Sequence, residues 1–338
     1  MRDHSVDPDM RRHASKYEAI RHYIDIDHWG KYPYKEVPRN FENAILKYAT
    51  FVAFNNDKEQ MITSEIVGDT ILLFKGTQAF YQGRYVDFRR HFSDVIMPFY
   101  YSEPWKLELN NDTIFKGYNS LLVQDEFSSY GILPYNLVRM YYSLHKAMSE
   151  KDTERILRLS ADFGHYIADA HVPLHTTENY NGQLTGQDGI HAFWESRIPE
   201  LFAEENYDFY VGKAEYISDI NGYVWNIVLE SNSHVDSVLG VEARLRKSFP
   251  EDKQYCYDDR NGLIVRQPCP EFALAYQNAM GNMVEERLQK SIKALGDLLY
   301  SAWIEAGQPE LIELPDLADD QNIDSLRLIY EDHSERNE

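Results

Sequence analysis

The chain has 338 residues, of which 43% are hydrophobic and 14% aromatic, so it can bury a packed core and should be globular. Its 34 basic and 55 acidic residues give a formal charge of −21, which disfavours binding of nucleic acid through the general surface. No stretch approaches the roughly 18 to 20 apolar residues of a membrane span, and the opening residues MRDHSVDPDMRR lack the features of a secretory signal.

The first part of the chain is predicted to change from irregular to helical and then to β-rich structure. Residues 1–40 are polar and contain three prolines, which predicts mostly irregular structure with at most short helices. Residues 41–60 have apolar side chains at helical spacing and contain neither Pro nor Gly, which predicts a helix. From 62 to 130, β-branched and aromatic runs alternate with Gly, Asn and Asp turns, which indicates an α/β or β-rich insertion.

Helical patterns dominate the rest of the chain. Pro134 begins one, and Asp152 caps a second that ends before Pro173. Further helical stretches are predicted at roughly 190–204, 218–247 and 270–306. The sequence therefore predicts a mainly α fold that carries the insertion.

The predicted domain organisation follows from these changes of character. One helical domain is built from two parts of the chain, 1–61 and 131–310. The inserted subdomain occupies 62–130, and an acidic C-terminal tail follows at 311–338.

The chain has two cysteines, Cys256 and Cys269, on either side of a short loop-like segment. Two are too few for a disulfide framework, although one disulfide between them is possible. They are also too far along the chain from the histidine cluster described next to be assigned as metal ligands.

Histidines and carboxylates recur at fixed offsets in the stretch GHYIADAHVPLHTTENYNGQLTGQDGIHAFWES. His165 and Asp169 are one helical turn apart and so lie on the same helix face. His191 and Glu195 repeat this spacing on the next predicted helix, and His175 lies on the connection between them. Imidazole nitrogens together with carboxylate oxygens are ligands suited to zinc.

A simpler interpretation exists for each of these residues taken alone. A single His-x-x-x-Asp or His-x-x-x-Glu pair is more often an ordinary contact on a helix face than a metal site. The conjunction of two pairs with a histidine between them favours a metal. By contrast, His171 points to another side of its helix and is predicted to have a supporting role, and Phe193 and Trp194 are predicted to be core residues.

Further ligands are available in the N-terminal segment. The segments SVDPDMRR and RHYIDIDHW supply the candidates Asp7, Asp9, His22, Asp25, Asp27 and His28. On their own they are weak signals, because Asp-Pro-Asp is a common turn and loop carboxylates are usually solvated.

The whole pattern resembles the zinc-dependent phospholipase C and single-strand-specific nuclease superfamily, an all-helical fold in which up to three zinc ions hydrolyse phosphate esters. The superfamily signature is a histidine, an aspartate four residues later, a histidine ten after the first, and then a histidine and an acidic residue four apart. Here the signature reads His165, Asp169, His175, His191 and Glu195. The resemblance covers residues 1–60 and 130–306, implies a multi-helix fold of this type, and says nothing about the insertion.

The resemblance also implies roles for individual residues. Three of them would form a zinc site with one position open for water or substrate, namely His175, His191 and Glu195. The other site would combine ligands from both parts of the chain, namely Asp9, His22, His165 and Asp169, with Asp7 as the alternative to Asp9. Asp169 would be shared between the metals as the central catalytic ligand.

Two zinc sites are thus expected, and a third site is incomplete. Family members begin, after signal cleavage, with a tryptophan whose amino group and carbonyl bind the third zinc together with a nearby histidine. This sequence begins at Met1 beside the first aspartate, and we expect that its N-terminus is truncated.

The implied function is phospholipase C-like hydrolysis of a phosphodiester by zinc. Glu195 resembles the glutamate of the phospholipases, whereas the nucleases usually have aspartate, so a single-strand-specific nuclease is the first alternative. A non-catalytic, zinc-stabilised binding protein is the second. A phospholipid or single-stranded nucleic acid would be the substrate, no stable protein partner is predicted, and the superfamily implies a periplasmic or extracellular setting.

Overall fold

The computed structural model describes residues 7–55, 58–93, 105–109, 112–260 and 262–310. Its helices are α1 (Asp7–Ala14), α2 (Lys16–Ala19), α3 (Phe41–Tyr48), α4 (Tyr85–Ser93), α5 (Leu133–Glu150), α6 (Thr153–His171), α7 (Ile190–Ala192), α8 (Ile198–Asn206), α9 (Ile220–Ser233), α10 (Val235–Ser248), α11 (Pro270–Met280) and α12 (Met283–Glu305). Its strands are β1 (Thr50–Asn55), β2 (Lys58–Val67), β3 (Thr70–Lys75), β4 (Gln78–Arg84), β5 (Trp105–Glu108), β6 (Ser120–Gln124), β7 (Tyr255–Arg260) and β8 (Leu263–Pro268).

A six-stranded antiparallel sheet with the order β4-β3-β2-β1-β6-β5 makes the fold mixed α/β. Alternate residues of its strands, such as Phe51, Ile62, Leu73 and Leu121, are fully buried in a core of their own. The prediction of a mainly α fold was therefore wrong, because the sheet is a substantial layer with its own hydrophobic core.

The prediction of a single helix over residues 41–60 was also wrong. Helix α3 ends at Tyr48, and the chain continues directly into β1 and β2. The segment TFVAFN alternates inward and outward side chains, with Phe51 and Ala53 buried, and it pairs with β2 on one side and β6 on the other. Six residues are too few for spacing alone to distinguish a strand from the end of a helix.

Helices α5, α6, α9 and α12 surround the main core, which includes Leu137, Tyr166 and Leu298. The helix predicted to begin near Pro134 and the one predicted to follow Asp152 are confirmed as α5 and α6. The Asp152 carboxylate accepts a hydrogen bond from the backbone N–H of Arg155 and so caps the start of α6. The other end of α6 stops before Pro173, which cannot continue a helix.

Two stretches that were each predicted as one long helix form two helices in the structure. Residues 270–306 form α11 and α12, separated at Gly281, whose φ of 64° lies in the left-handed region that favours glycine. Residues 218–247 are divided at His234 into α9 and α10. Between α10 and α11, β7 and β8 form a hairpin, and Cys256 and Cys269 are joined by a disulfide.

The sheet does not start where the insertion was predicted to start. The stretch 62–130 contains β3 to β6 and most of β2, whereas β1 begins at Thr50. The predicted acidic tail at 311–338 lies outside the described residues. None of the helices in the described ranges combines the length and apolar character that a membrane span needs.

Candidate metal centre

The last turns of α6 carry the first pair of candidate ligands. His165 Nε2 lies 3.4 Å from Asp169 Oδ2, so the spacing of one helical turn does place the two groups together. Asp169 is buried, and the His165 side chain is only slightly exposed. This pair faces the N-terminal segment, which packs alongside the end of α6.

Backbone hydrogen bonds hold that N-terminal segment in place. The N–H of Ile24 donates to the carbonyl of His175 at 2.9 Å, and the N–H of Ile132 donates to the carbonyl of Ile20 at 2.7 Å. His22 lies between these two anchor points and is buried with 1% of its surface exposed. Its position is therefore set by tertiary contacts, since the nearest preceding helix, α2, has only four residues and ends before it.

A first cluster forms where His22 and Asp9 meet α6. His22 Nδ1 lies 2.9 Å from Asp169 Oδ2 and 3.2 Å from His165 Nε2. Asp9, in the first turn of α1, places its Oδ2 3.8 Å from His165 Nε2. Asp9, His22 and His165 form a group whose ligand atoms all lie within 4.8 Å of one another and could hold a metal ion.

A second cluster contains His175, His191 and Glu195, and its ligand atoms also lie within 4.8 Å of one another. Glu195 Oε2 is 3.4 Å from His175 Nε2 and 3.1 Å from His191 Nε2. Glu195 belongs to a π-helical turn, Phe193–Arg197, between α7 and α8. Such turns are rare and occur often at functional sites.

Backbone carbonyls orient both imidazoles of the second cluster. His175 Nδ1 donates to the carbonyl of His22 at 2.6 Å, and His191 Nδ1 donates to the carbonyl of Tyr180 at 3.0 Å. A neutral imidazole that donates through Nδ1 has its lone pair on Nε2, and both Nε2 atoms face Glu195. This is the arrangement typical of histidines that bind a metal.

Asp169 lies between the two clusters. Its Oδ2 contacts His22 and His165, while its Oδ1 lies 3.9 Å from His175 Nε2. One carboxylate can therefore face an ion in each cluster. Of the residues predicted as ligands, Asp7 is the one that the structure does not bring to this centre, and its charge acts instead on Asp162.

The clustered charges change the proton affinities of the second cluster. Burial lowers the pKa of His175, but the carboxylates of Asp169 and Glu195 outweigh it and raise that pKa to about 9. Burial raises the pKa of Glu195, but hydrogen bonds with His175 and His191 hold it well below its usual range. The positive charge of protonated His175 and the negative charge of Glu195 therefore stabilise each other.

Other histidines and acids singled out in the sequence have different environments. Burial, assisted by the charge of Arg287, lowers the pKa of His171 to about 3, and its Nδ1 donates to the carbonyl of Ile167, in agreement with a supporting role. The Asp27 carboxylate accepts from the Thr177 hydroxyl at 2.6 Å and therefore fixes the loop that follows His175. Burial, with the nearby charge of Asp27, raises the pKa of Asp25 to about 7.

A cavity of about 260 Å³ opens beside the first cluster, between the end of α6, the π-helical turn and α12. Asp9, His165, Asp169 and Glu195 all contribute to its wall. Trp194 also lines it, is buried as predicted, and has an indole N–H without a hydrogen-bond partner among the described residues. The candidate ligands therefore border a space large enough for a small molecule.

Sequence reasoning missed the acceptors that orient the imidazoles. The backbone carbonyls of His22 and Tyr180 hold His175 and His191, and no residue type at those positions indicates this role. The link from Asp27 to Thr177 was also missed, because it joins segments that are remote in sequence.

Comparison of the chain with family models, with curated proteins and with solved structures found no match.

Proposed function

We propose that the protein is a zinc-dependent phosphodiester hydrolase of the phospholipase C type. The observation that carries this proposal is the position of Asp169 between two ligand clusters, with one carboxylate oxygen toward each. Paired metal sites of this kind are used by phosphatases and nucleases to hydrolyse phosphate esters.

The donor set supports zinc in particular. Both clusters offer imidazole nitrogens and carboxylate oxygens, and the second cluster has three ligands with fixed imidazole orientations. Three protein ligands leave a coordination position open, as in catalytic zinc sites. Asp9, His22, His165 and Asp169 would hold one ion, and His175, His191 and Glu195 the other.

The chemistry that bound zinc supplies is an activated water at neutral pH and stabilisation of negative charge on the phosphoryl oxygens. The protein would hold such ions with Asp169, which lies between the two clusters, and with the Nε2 atoms of His175 and His191. The backbone acceptors restrain the rotation of those imidazoles. Positive ions at this position would also reverse the local field for a phosphate ester, which the −21 charge of the chain otherwise repels.

A nuclease of the same superfamily is the alternative, and Tyr180 is the observation that supports it. Its ring is 52% exposed, and its centroid lies 6.1 Å from that of His191. An exposed aromatic ring beside the phosphate-binding centre can stack on an unpaired base.

We also infer a periplasmic or extracellular setting. The supporting observation is the disulfide between Cys256 and Cys269, because disulfides persist mainly in oxidising compartments.

Elemental analysis and turnover measured on the same samples test the proposal. We expect two zinc ions per chain and hydrolysis of either a choline phospholipid or single-stranded DNA. His175→Ala and His191→Ala should abolish turnover while the far-ultraviolet circular dichroism is retained, because each removes a ligand of one zinc. His145→Ala on α5, outside both clusters, is the matched control and should leave turnover unchanged.

Each contrary outcome has a definite meaning. Turnover retained in zinc-replete His175→Ala protein would exclude this residue from the mechanism. Full zinc content without turnover of either substrate would favour the non-catalytic, zinc-stabilised binding protein. The choice between phospholipid and DNA decides between the two enzymatic alternatives.

A further inference from the structure

A second cavity lies on the other side of the π-helical turn from the metal-facing one. Its volume is about 260 Å³, and its walls come from the start of α7, from α10 and from the β7–β8 hairpin. Ser196 lines both cavities, so the segment that carries Glu195 separates them. None of the candidate metal ligands lines this second cavity, and the proposed function assigns no role to it.

Three arginines line this cavity, and two of them already have carboxylate partners. Arg197 is buried and contacts Glu200 at 3.4 Å and Asp258 at 3.3 Å. Arg246 contacts Glu242, whose carboxylate is fully buried and also accepts from Gln187. The acids Glu242 and Glu200 in the lining are therefore engaged with these two arginines.

Arg266 is different, because its guanidinium makes no hydrogen bond and no ion pair within the ranges that the structure describes. Its Cζ lies over the ring of Tyr255, 3.6 Å from the ring centroid. Arg246 Nη2 meets the hydroxyl of the same tyrosine at 3.3 Å. Two guanidinium groups thus contact one tyrosine at the edge of the cavity, one at its ring and one at its hydroxyl, and that of Arg266 has all its N–H donors available.

We propose that this cavity binds a phosphate-bearing ligand, with Arg266 as the principal contact and Arg246 beside it. A guanidinium presents a planar fork that matches two phosphate oxygens, and the contact with the Tyr255 ring restrains the Arg266 side chain before a ligand arrives. The available fork of Arg266 can donate to two oxygens of a phosphate, and the greater negative charge of a phosphate favours it over a carboxylate at this guanidinium. A space of about 260 Å³ accommodates inorganic phosphate or a small phosphomonoester.

Asp188 gives the proposal a second, opposite test. It is exposed, lines the same cavity and has no side-chain hydrogen bond or ion pair among the described residues. Its negative charge opposes an incoming phosphate, so its removal should strengthen binding while removal of Arg266 weakens it.

Isothermal titration of inorganic phosphate into the zinc-loaded full chain measures the binding. We expect Arg266→Gln to weaken this binding by at least about tenfold and Asp188→Asn to strengthen it severalfold. Arg244→Gln is the matched control, because Arg244 is an exposed arginine on α10 outside the cavity lining, and it should leave the affinity unchanged. Arg266→Lys keeps the charge without the fork and should still bind more weakly than the wild type.

Parallel titrations identify the ligand and show whether it binds at the second cavity or at the metal centre. Acetate should not compete at equal concentration, and phosphocholine and a nucleoside monophosphate show which phosphomonoester the cavity accepts. His191→Ala should retain the Arg266-dependent binding, so this result stays distinguishable from a failure of the proposed hydrolase function. The proposal is overturned if no binding depends on Arg266, if Arg244→Gln weakens binding equally, or if Asp188→Asn weakens it.

Discussion

The carboxylate of Asp169 shows how a single side chain can link two sites. One oxygen contacts His22 and His165, and the other faces His175. The spacing of Asp169 from His165 could be read from the sequence, because residues one turn apart share a helix face. Its contact with His22 could not, since the two residues are 147 positions apart and meet only through tertiary packing.

The structure also distinguishes the two N-terminal aspartates that the sequence left as alternatives. Asp9 approaches His165, whereas Asp7 lies near Asp162, although both belong to the first turn of α1. We therefore expect Asp9→Asn to weaken zinc binding at one of the two sites. Loss of a residue that only hydrogen-bonds to a metal ligand costs roughly 10- to 100-fold in affinity, and loss of a ligand should cost more. Zinc competition titration with a chromophoric chelator measures this effect.

Asp7→Asn is the matched control for that experiment, because it removes the same charge from the same helical turn. It should leave both zinc affinities within about twofold of the wild type. Equal weakening by the two substitutions would show that the effect comes from the charge of α1 and not from a ligand.

At the scale of whole elements, periodicity located the long helices but not the sheet. Helices α5 and α6 have many apolar residues at helical spacing together with a clear start signal, Pro134 or Asp152, and both were predicted. Strand β1 is short, and its partner β6 lies about 70 residues away, so local spacing could not show that the two strands pair. The break at Gly281 was missed because an isolated glycine is also tolerated inside helices.

The β7–β8 hairpin depends on a covalent link as well as on its backbone pairing. Cys256 and Cys269 are 13 residues apart, and Cys269 is buried immediately before α11. Closing a loop of this length stabilises a folded protein by about 3 kcal/mol, mainly by restricting the unfolded chain. The disulfide therefore anchors the hairpin against the start of α11.

We expect the double substitution Cys256→Ser with Cys269→Ser to lower the free energy of unfolding by about 3 kcal/mol. Urea denaturation followed by circular dichroism measures it, and reduction of the wild-type protein should produce the same shift. Zinc content should stay unchanged, because both cysteines lie outside the two clusters. Unchanged stability in the double variant would mean that backbone pairing alone holds the hairpin.

For the molecule as a whole, the excess of acid makes the candidate metal centre dependent on cations. The chain carries 55 acidic against 34 basic residues, and three of its carboxylates, Asp9, Asp169 and Glu195, converge with four histidines. Without a metal, protons are the available counter-charges, as the raised pKa of His175 shows. Metal and protons therefore compete for the same buried atoms.

This competition predicts how zinc affinity depends on pH. The pKa of His175 is about 9 in the metal-free protein, so below pH 9 zinc must displace the proton from Nε2, and the affinity falls as the pH falls. Each pH unit below 9 should cost this site up to about tenfold in affinity, equivalent to roughly 1.4 kcal/mol. Calorimetric titration at pH 7 in two buffers of different ionisation enthalpy should show release of about one proton from His175, and His175→Gln should remove that release. Zinc binding without proton release at pH 7 would mean that His175 is neutral before the metal binds. The neighbouring carboxylates would then not keep His175 protonated in the metal-free protein.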